Sequence, residues 1–261
     1  MERSKTGEFN WVDLSARDFE AQSAFYQGLF GWSYTDVPFA EGMVYRMFKN
    51  DGHTVAGMSS LPRDLLEQGV PSAWTTYVAT DDVDATVAKA VELGATVAMP
   101  AMDVPETGRM AAIQDPTGAH LFFWKPLHYD ETMEYLGTGL LSWNDLTTRE
   151  PKKAADFYSA LLGWDIEQLM EEPSPYWQVK VDGRGEGGIM PMPETMPVEV
   201  PPFWLVYFGT DDVQASVTKA VELGAGVQVG PTEVPGMLVF AVLADPAGAT
   251  FALLHGLVET S

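Results

Sequence analysis

From residue 9 the chain reads FNWVDLS, an alternation of apolar and polar positions rich in aromatic and branched side chains, which predicts a strand. The period changes in DFEAQSAFYQGLFG, where Phe19, Ser23/Ala24, Tyr26/Gln27 and Phe30 recur near helical spacing and Gly31 supplies the stop. WSYTDVP, MVYRMFKN and HTVAGMS then read as three short strands divided by turn residues. WTTYVAT predicts a further strand, and Asp81 or Asp82 is placed to cap a helix over VDATVAKAVELG that closes at Gly94. ATVAMP, RMAAIQ and AHLFFW complete the series as strands, the last two joined by a DPTG turn.

The same series occurs twice. Residues 74–97 and 204–227 align without a gap at sixteen identical positions of twenty-four. WVDLSARDFEAQSAFYQGLFGW (11–32) matches WNDLTTREPKKAADFYSALLGW (143–164), and DPTGAHLFFW (115–124) matches DPAGATFALL (245–254). Each half therefore holds two βαβββ units, and the chain holds four. The expected division is a domain over 1–126, with units 1–60 and 72–126, and a second over 138–261, with units 138–191 and 202–258. Proline-bearing joins (61–72 and 191–202) separate the units, and residues 125–139 link the halves. The fold class is α+β. Each unit buries one sheet face under its helix, and two units side by side are expected to make a cupped sheet around a cleft.

Composition narrows the chemistry. With 261 residues, 46% hydrophobic and 20% charged, the chain is an ordinary globular sequence long enough for about two domains. No cysteine is present, so thiolate nucleophiles, disulfides and cysteine-zinc sites are excluded. A net charge of −22 argues against nucleic acid and anionic membrane as partners, because both require basic residues to neutralise phosphate. No apolar run approaches bilayer length and the N-terminus lacks a signal-peptide core, which makes the cytoplasm the expected location.

Tandem βαβββ units carrying FYxxLxGW, DDVxAxxxKAVELGA and DPxGA together resemble the glyoxalase/bleomycin-resistance/extradiol-dioxygenase, or vicinal oxygen chelate, superfamily. The likeness spans nearly the whole chain, which looks like a two-domain actinobacterial subgroup labelled glyoxalase-like or hydroxylase. The resemblance implies a divalent metal held by His, Gln or Glu on the first strand of each unit and on the last strand. Counting from the helix-opening acids and the turn glycines places those ligand positions at Trp11, Thr75 and Phe122 in one half, and at Trp143, Leu205 and Ala252 in the other. None is a usual ligand: an indole offers only an N–H donor, and Phe, Leu and Ala offer nothing. The expectation is therefore no cofactor and no metal.

Candidate site residues follow from strand alternation. With Thr75 on the cleft side, Tyr77 and Tyr207 face the cleft while Trp74, Val78, Val206 and Phe208 face the helices. On the last strands the cleft receives His120, Phe122 and Trp124 in the first half, against Thr250, Ala252 and Leu254 in the second. His120 is a candidate acid, base or ligand donor; His128 and His255 read as surface residues and His53 as a turn residue. Asp13 and Asp145 share a strand face with Trp11 and Trp143. Each is either a general base beside an indole or a carboxylate that pins its strand. Arg109 has Val239 as its counterpart, an asymmetry that points to ligand recognition. Met43, Met47, Met58 and Met190 lie on strands expected to border the clefts, where Met adapts to irregular ligands.

The leading expectation is metal-free binding of a bulky apolar or aromatic small molecule, for sequestration or in secondary metabolism as in antibiotic-binding relatives. Trp11, Trp143, Tyr77, Tyr207, Phe122 and Trp124 would form the walls, with Asp13, Asp145, His120 and Arg109 as polar anchors. The alternative is an enzyme: a metal-independent hydroxylase, cyclase or lyase using His120 or Asp13, or a glyoxalase-type enzyme with a relocated metal. A third reading is an auxiliary protein with an enzyme partner. Monomer and homodimer are both compatible with the sequence.

Overall fold

The computed structural model describes residues 5–40, 43–127, 137–171 and 173–256. The first half runs β1 (Phe9–Ala16), α1 (Phe19–Phe30), β2 (Ser33–Ala40), β3 (Met43–Asn50), β4 (His53–Ser60), α2 (Arg63–Glu67), β5 (Ala73–Ala79), α3 (Val83–Glu92), β6 (Thr96–Val104), β7 (Gly108–Gln114) and β8 (His120–Pro126). The second half runs β9 (Leu141–Thr148), α4 (Pro151–Leu162), β10 (Asp165–Met170), β11 (Tyr176–Val181), β12 (Arg184–Pro191), β13 (Phe203–Gly209), α5 (Val213–Glu222), β14 (Gly226–Val234), β15 (Leu238–Ala244) and β16 (Thr250–His255). The four expected βαβββ units are all present. One element was not foreseen. The short helix α2 lies in the 61–72 join, where an Arg63–Glu67 ion pair at 2.9 Å spans one helical turn. No helix among the described residues is long and apolar enough to cross a membrane.

Local chemistry sets the helix ends. Asp18, Asp82 and Asp212 accept the backbone N–H groups of Ala21, Ala85 and Ala215, which satisfies donors that the first helical turn leaves unpaired. Glu150 makes no such bond; Pro151 follows it in the first turn, where a missing N–H costs nothing. Gly31 and Gly163 close α1 and α4 in the left-handed region at φ 76° and 73°.

The strands form two eight-stranded sheets, ordered β2-β3-β4-β1-β5-β8-β7-β6 and β10-β11-β12-β9-β13-β16-β15-β14. Each sheet draws all its strands from one half of the sequence. The cores divide differently. One compact unit comprises residues 1–10, 76–132 and 144–205, and the other 11–75, 133–143 and 206–261. Each core is thus assembled from a βαβββ unit of each half. In the second compact unit Val12, Leu14, Phe25, Tyr26 and Trp32 pack with Val206, Phe208, Val217 and Phe251. In the first, Val78, Ala90, Leu121 and Phe123 pack with Leu146, Phe157, Tyr158, Trp164 and Trp204.

The repeated motifs hold these cores. Tyr26 of FY donates its hydroxyl to Asp245 of DP at 3.1 Å, and Tyr158 donates to Asp115 at 2.8 Å. Trp74 and Trp204 in turn donate indole N–H bonds to the hydroxyls of Tyr26 and Tyr158. Both phenols are buried, and burial followed by the neighbouring carboxylate charge raises their pKa well above the usual value. Asp115 also accepts the backbone N–H groups of Thr117, Gly118 and Ala119, so one carboxylate shapes the hairpin and receives the phenol. Asp115→Ala removes the partner of several buried donors at once and is expected to cost about 3 kcal/mol or more. Urea unfolding checks this, and Asp245→Ala is expected to cause a comparable loss.

Candidate functional site

On β1, Val12, Leu14 and Ala16 are fully buried in the helix-side core, so period-two alternation turns Trp11 and Asp13 to the opposite face. There the Trp11 indole N–H donates to Asp13 Oδ1 at 2.8 Å and to the Tyr45 hydroxyl at 2.9 Å, and that hydroxyl donates to the same carboxylate oxygen. Gly57 lies opposite Asp13 on the parallel neighbour β4. A Cβ at Gly57 would stand 1.8 Å from the Tyr45 hydroxyl and 2.0 Å from Asp13 Oδ1. The glycine is required so that phenol and carboxylate can meet.

The other compact unit repeats the device. Tyr176 donates to Asp145 Oδ1 at 2.8 Å, Gly188 lies opposite Asp145, and a Cβ at Gly188 would come within 2.0 Å of the Tyr176 hydroxyl. Tyr45, Tyr176, Gly57 and Gly188 were absent from the sequence-based candidates. Aligning YRMFKNDG with YWQVKVDG in the repeat, and carrying it on to the glycines, identifies all four.

The remaining candidates are placed as follows. Tyr77 is buried and tilts against Phe122 with ring centroids 5.0 Å apart. Trp124, half-buried, lies across Gly108, where a Cβ would be 2.5 Å from its ring. The corresponding positions in the second half are Leu254 and Leu238, so a large–none pair in one half becomes two medium side chains in the other. Tyr207 is buried and stands in register with Ala252, and Trp143 is half-buried on β9. His120 is exposed at the first position of β8. His255 is exposed with Nδ1 2.9 Å from the Thr210 carbonyl, and His53 is exposed where β4 begins; His128 lies outside the described residues. Met58 is fully buried in the helix-side core, not on the open face, because it follows Gly57 by one position and alternation turns it inward.

Arg109 is engaged elsewhere. Its guanidinium makes two bonds to Asp84, on α3, at 2.7 and 2.8 Å and a third to Asp103, on β6, at 2.7 Å. That bidentate bond holds the Asp84 carboxyl below its usual pKa. This ion pair accounts for the asymmetry with Val239.

The metal positions implied by the sequence resemblance do not fit a cation. Trp11 points an N–H donor at a carboxylate and a phenol, Phe122 lies tilted against Tyr77, and Leu205 and Ala252 are buried hydrocarbon. Among the described residues no group of three or more His, Cys, Asp or Glu side chains is arranged to hold a metal ion elsewhere.

One carboxylate departs strongly from ordinary behaviour. Glu186 sits in the bulge of β12, between Gly185 and Gly187, at the place where β4 buries Val55 in the core. Burial raises its pKa to about 7, against the opposing pull of Arg184 at 2.6 Å; the charge of Glu8 adds a smaller upward push.

Two matches to family models cover most of the chain: the Glyoxalase/Bleomycin resistance protein/Dioxygenase superfamily over residues 8–123, and a Glyoxalase-like domain over 144–254. The chain is 41% identical over 254 residues to CFP32 of Mycobacterium tuberculosis, covering 96% of this chain and 95% of that protein. It is 35% identical over 271 residues to the anthracycline biosynthesis protein DnrV of Streptomyces peucetius, covering 98% and 95%. A Mn(II)-bound glyoxalase from Novosphingobium aromaticivorans shares the fold, with a TM-score of 0.69 at 18% identity over 99% of this chain and 84% of that one.

Two predictions follow from the site geometry. Gly57→Ala is expected to destabilise by about 1–3 kcal/mol through overpacking, and by clearly less in a Tyr45→Ala background. A double-mutant cycle in urea reads the coupling. Glu186 has a folded pKa above its unfolded value, so the folded state takes up a proton and its contribution is fully present below about pH 4.5. That contribution is lost as pH rises through about 7, on the order of 1–3 kcal/mol. Thermal melts between pH 5 and 8 are expected to show this fall in wild type and a flatter profile in Glu186→Gln.

Proposed function

The chain belongs to the glyoxalase/bleomycin resistance protein/dioxygenase superfamily, and within it we propose that it binds a bulky, planar aromatic small molecule without a metal ion. The observation that carries this reading is the substitution of hydrocarbon and indole for chelating side chains at the expected ligand positions. These lie beside aromatic surface that suits stacking: Trp11 with Tyr45 in one compact unit, Tyr77 with Phe122 and Trp124 in the other. The Asp13 and Asp145 carboxylates, each tied to a tyrosine hydroxyl, are the polar groups that would fix orientation. Anthracyclines, in whose biosynthesis the relative DnrV takes part, are polycyclic aromatics of the right character, which supports a role in the metabolism or sequestration of such compounds.

Tryptophan fluorescence titrated with 1,8-dihydroxyanthraquinone in excess EDTA tests the proposal. Saturable quenching, unchanged by chelator and weakened roughly tenfold or more by Trp11→Ala at the site in its compact unit, or by Phe122→Ala at the site in the other, is the expected result. Absence of saturable quenching, or binding that EDTA abolishes and Mn(II) restores, contradicts it.

The Tyr45–Asp13 hydrogen bond favours a second reading, a metal-independent hydroxylase, cyclase or lyase that uses the pair to move a proton. Product formation lost in Asp13→Asn with ligand binding retained would select the enzyme; turnover unchanged in that variant would exclude this mechanism.

A further inference from the structure

A half-open cavity of about 430 Å³ lies in one compact unit, lined by Phe30, Asn50, Asp51, Gly137, Leu140 and Asp211. None of these residues belongs to the site described above. Among the described residues no Lys or Arg pairs with Asp51 or Asp211. Carboxylates on a surface are ordinary, and by themselves they identify nothing.

The internal repeat supplies the independent observation. Asp51 and Asp182 occupy the same turn in the two halves, at φ 48° and 50°, each followed by a glycine at φ 88° and 82°. Gly139 and Gly7 are likewise equivalent. Each accepts an indole N–H, from Trp32 at 3.0 Å and from Trp164 at 2.8 Å. Each also donates its own N–H to a matching strand carbonyl, Gly209 or Ala79. These bonds fix the register, so Gly137 corresponds to Lys5, Leu140 to Glu8 and Asp211 to Asp81. In the second location an ammonium is present: Lys5 Nζ lies 2.7 Å from Asp182. In the first, the side chain that would deliver the ammonium is a glycine, the carboxylate remains, and Phe30 and Leu140 offer apolar surface beside it.

We infer that this cavity is a binding site for a small primary amine carrying an apolar body, its ammonium taking the place that Lys5 Nζ takes beside Asp182. The ammonium sits at Asp51 with Asp211 adjacent, and the apolar body lies against Phe30 and Leu140. This inference does not depend on the function proposed above, since it shares no residue with that site.

The test uses the intact chain and phenethylamine as probe, with 2-phenylethanol as its uncharged counterpart, by calorimetry and amide chemical shifts at physiological ionic strength. Phenethylammonium is expected to bind one-to-one and roughly tenfold or more tighter than the alcohol, with shifts at Gly137–Leu140. Asp51→Asn keeps a residue type that tolerates the left-handed turn and is expected to lose most of this preference. Gly137→Lys is expected to block the site, since a Cβ there meets only the flexible end of Leu140, at 2.9 Å. Asp182→Asn serves as the control and is expected to bind as wild type. Lack of saturable binding, equal affinity for amine and alcohol, or equal loss in Asp51→Asn and Asp182→Asn would overturn the inference. The last outcome would mean that the probe answers only to the net charge of −22.

Discussion

A tyrosine hydroxyl donating to a buried aspartate, once in each compact unit, is the interaction on which the rest of this structure depends. Tyr26 and Asp245 lie 219 residues apart in sequence, Tyr158 and Asp115 lie 43 apart, and both aspartates are buried. A buried charge without partners is strongly unfavourable, so each aspartate requires its phenol and its hairpin amides together. Meeting that requirement places α1 beside the β15–β16 turn and α4 beside the β7–β8 turn. Each hydrophobic core is then completed by a unit from the opposite half of the sequence.

The recurrence of FY, GW, KAVELG and DPxGA follows from this arrangement, because each phrase holds a structural bond that the fold needs twice. Lys89 and Lys219 illustrate the point: their ammonium groups cap the carbonyls of Leu161 and Leu29, the same contact in two places. Functional differences therefore have to be sought where the halves diverge. Trp124 over Gly108 against Leu254 with Leu238, Glu186 against Val55, and Lys5 against Gly137 are three such places. Each exchanges volume or charge at a position whose backbone is otherwise preserved.

Much of the fold was legible in the sequence because period-two and helical patterns are local. The order of elements, the strand faces carrying Trp74, Val78, Val206 and Phe208, and the capping aspartates all follow from near neighbours. The assembly of the cores was less accessible, since nothing local says that Tyr26 seeks Asp245 in place of Asp115. Asp13 and Asp145 stood out as candidates by their recurrence beside tryptophan. Their tyrosine partners lie 32 and 31 residues further on, and only cross-strand register brings them together. The partners of Arg109 were hidden for a related reason: its asymmetry was visible, while the carboxylates of Asp84 and Asp103 that it binds stand on other elements.

The account turns on the metal-ligand positions that the sequence resemblance implies, which here carry indole, phenyl and aliphatic groups and a single hydroxyl, Thr75. Native mass spectrometry of the protein isolated from its own host, combined with elemental analysis of the same sample, addresses that claim directly. An organic mass increment with aromatic absorbance and a transition-metal content well below one ion per chain is the predicted result. One divalent transition ion retained per chain would contradict it.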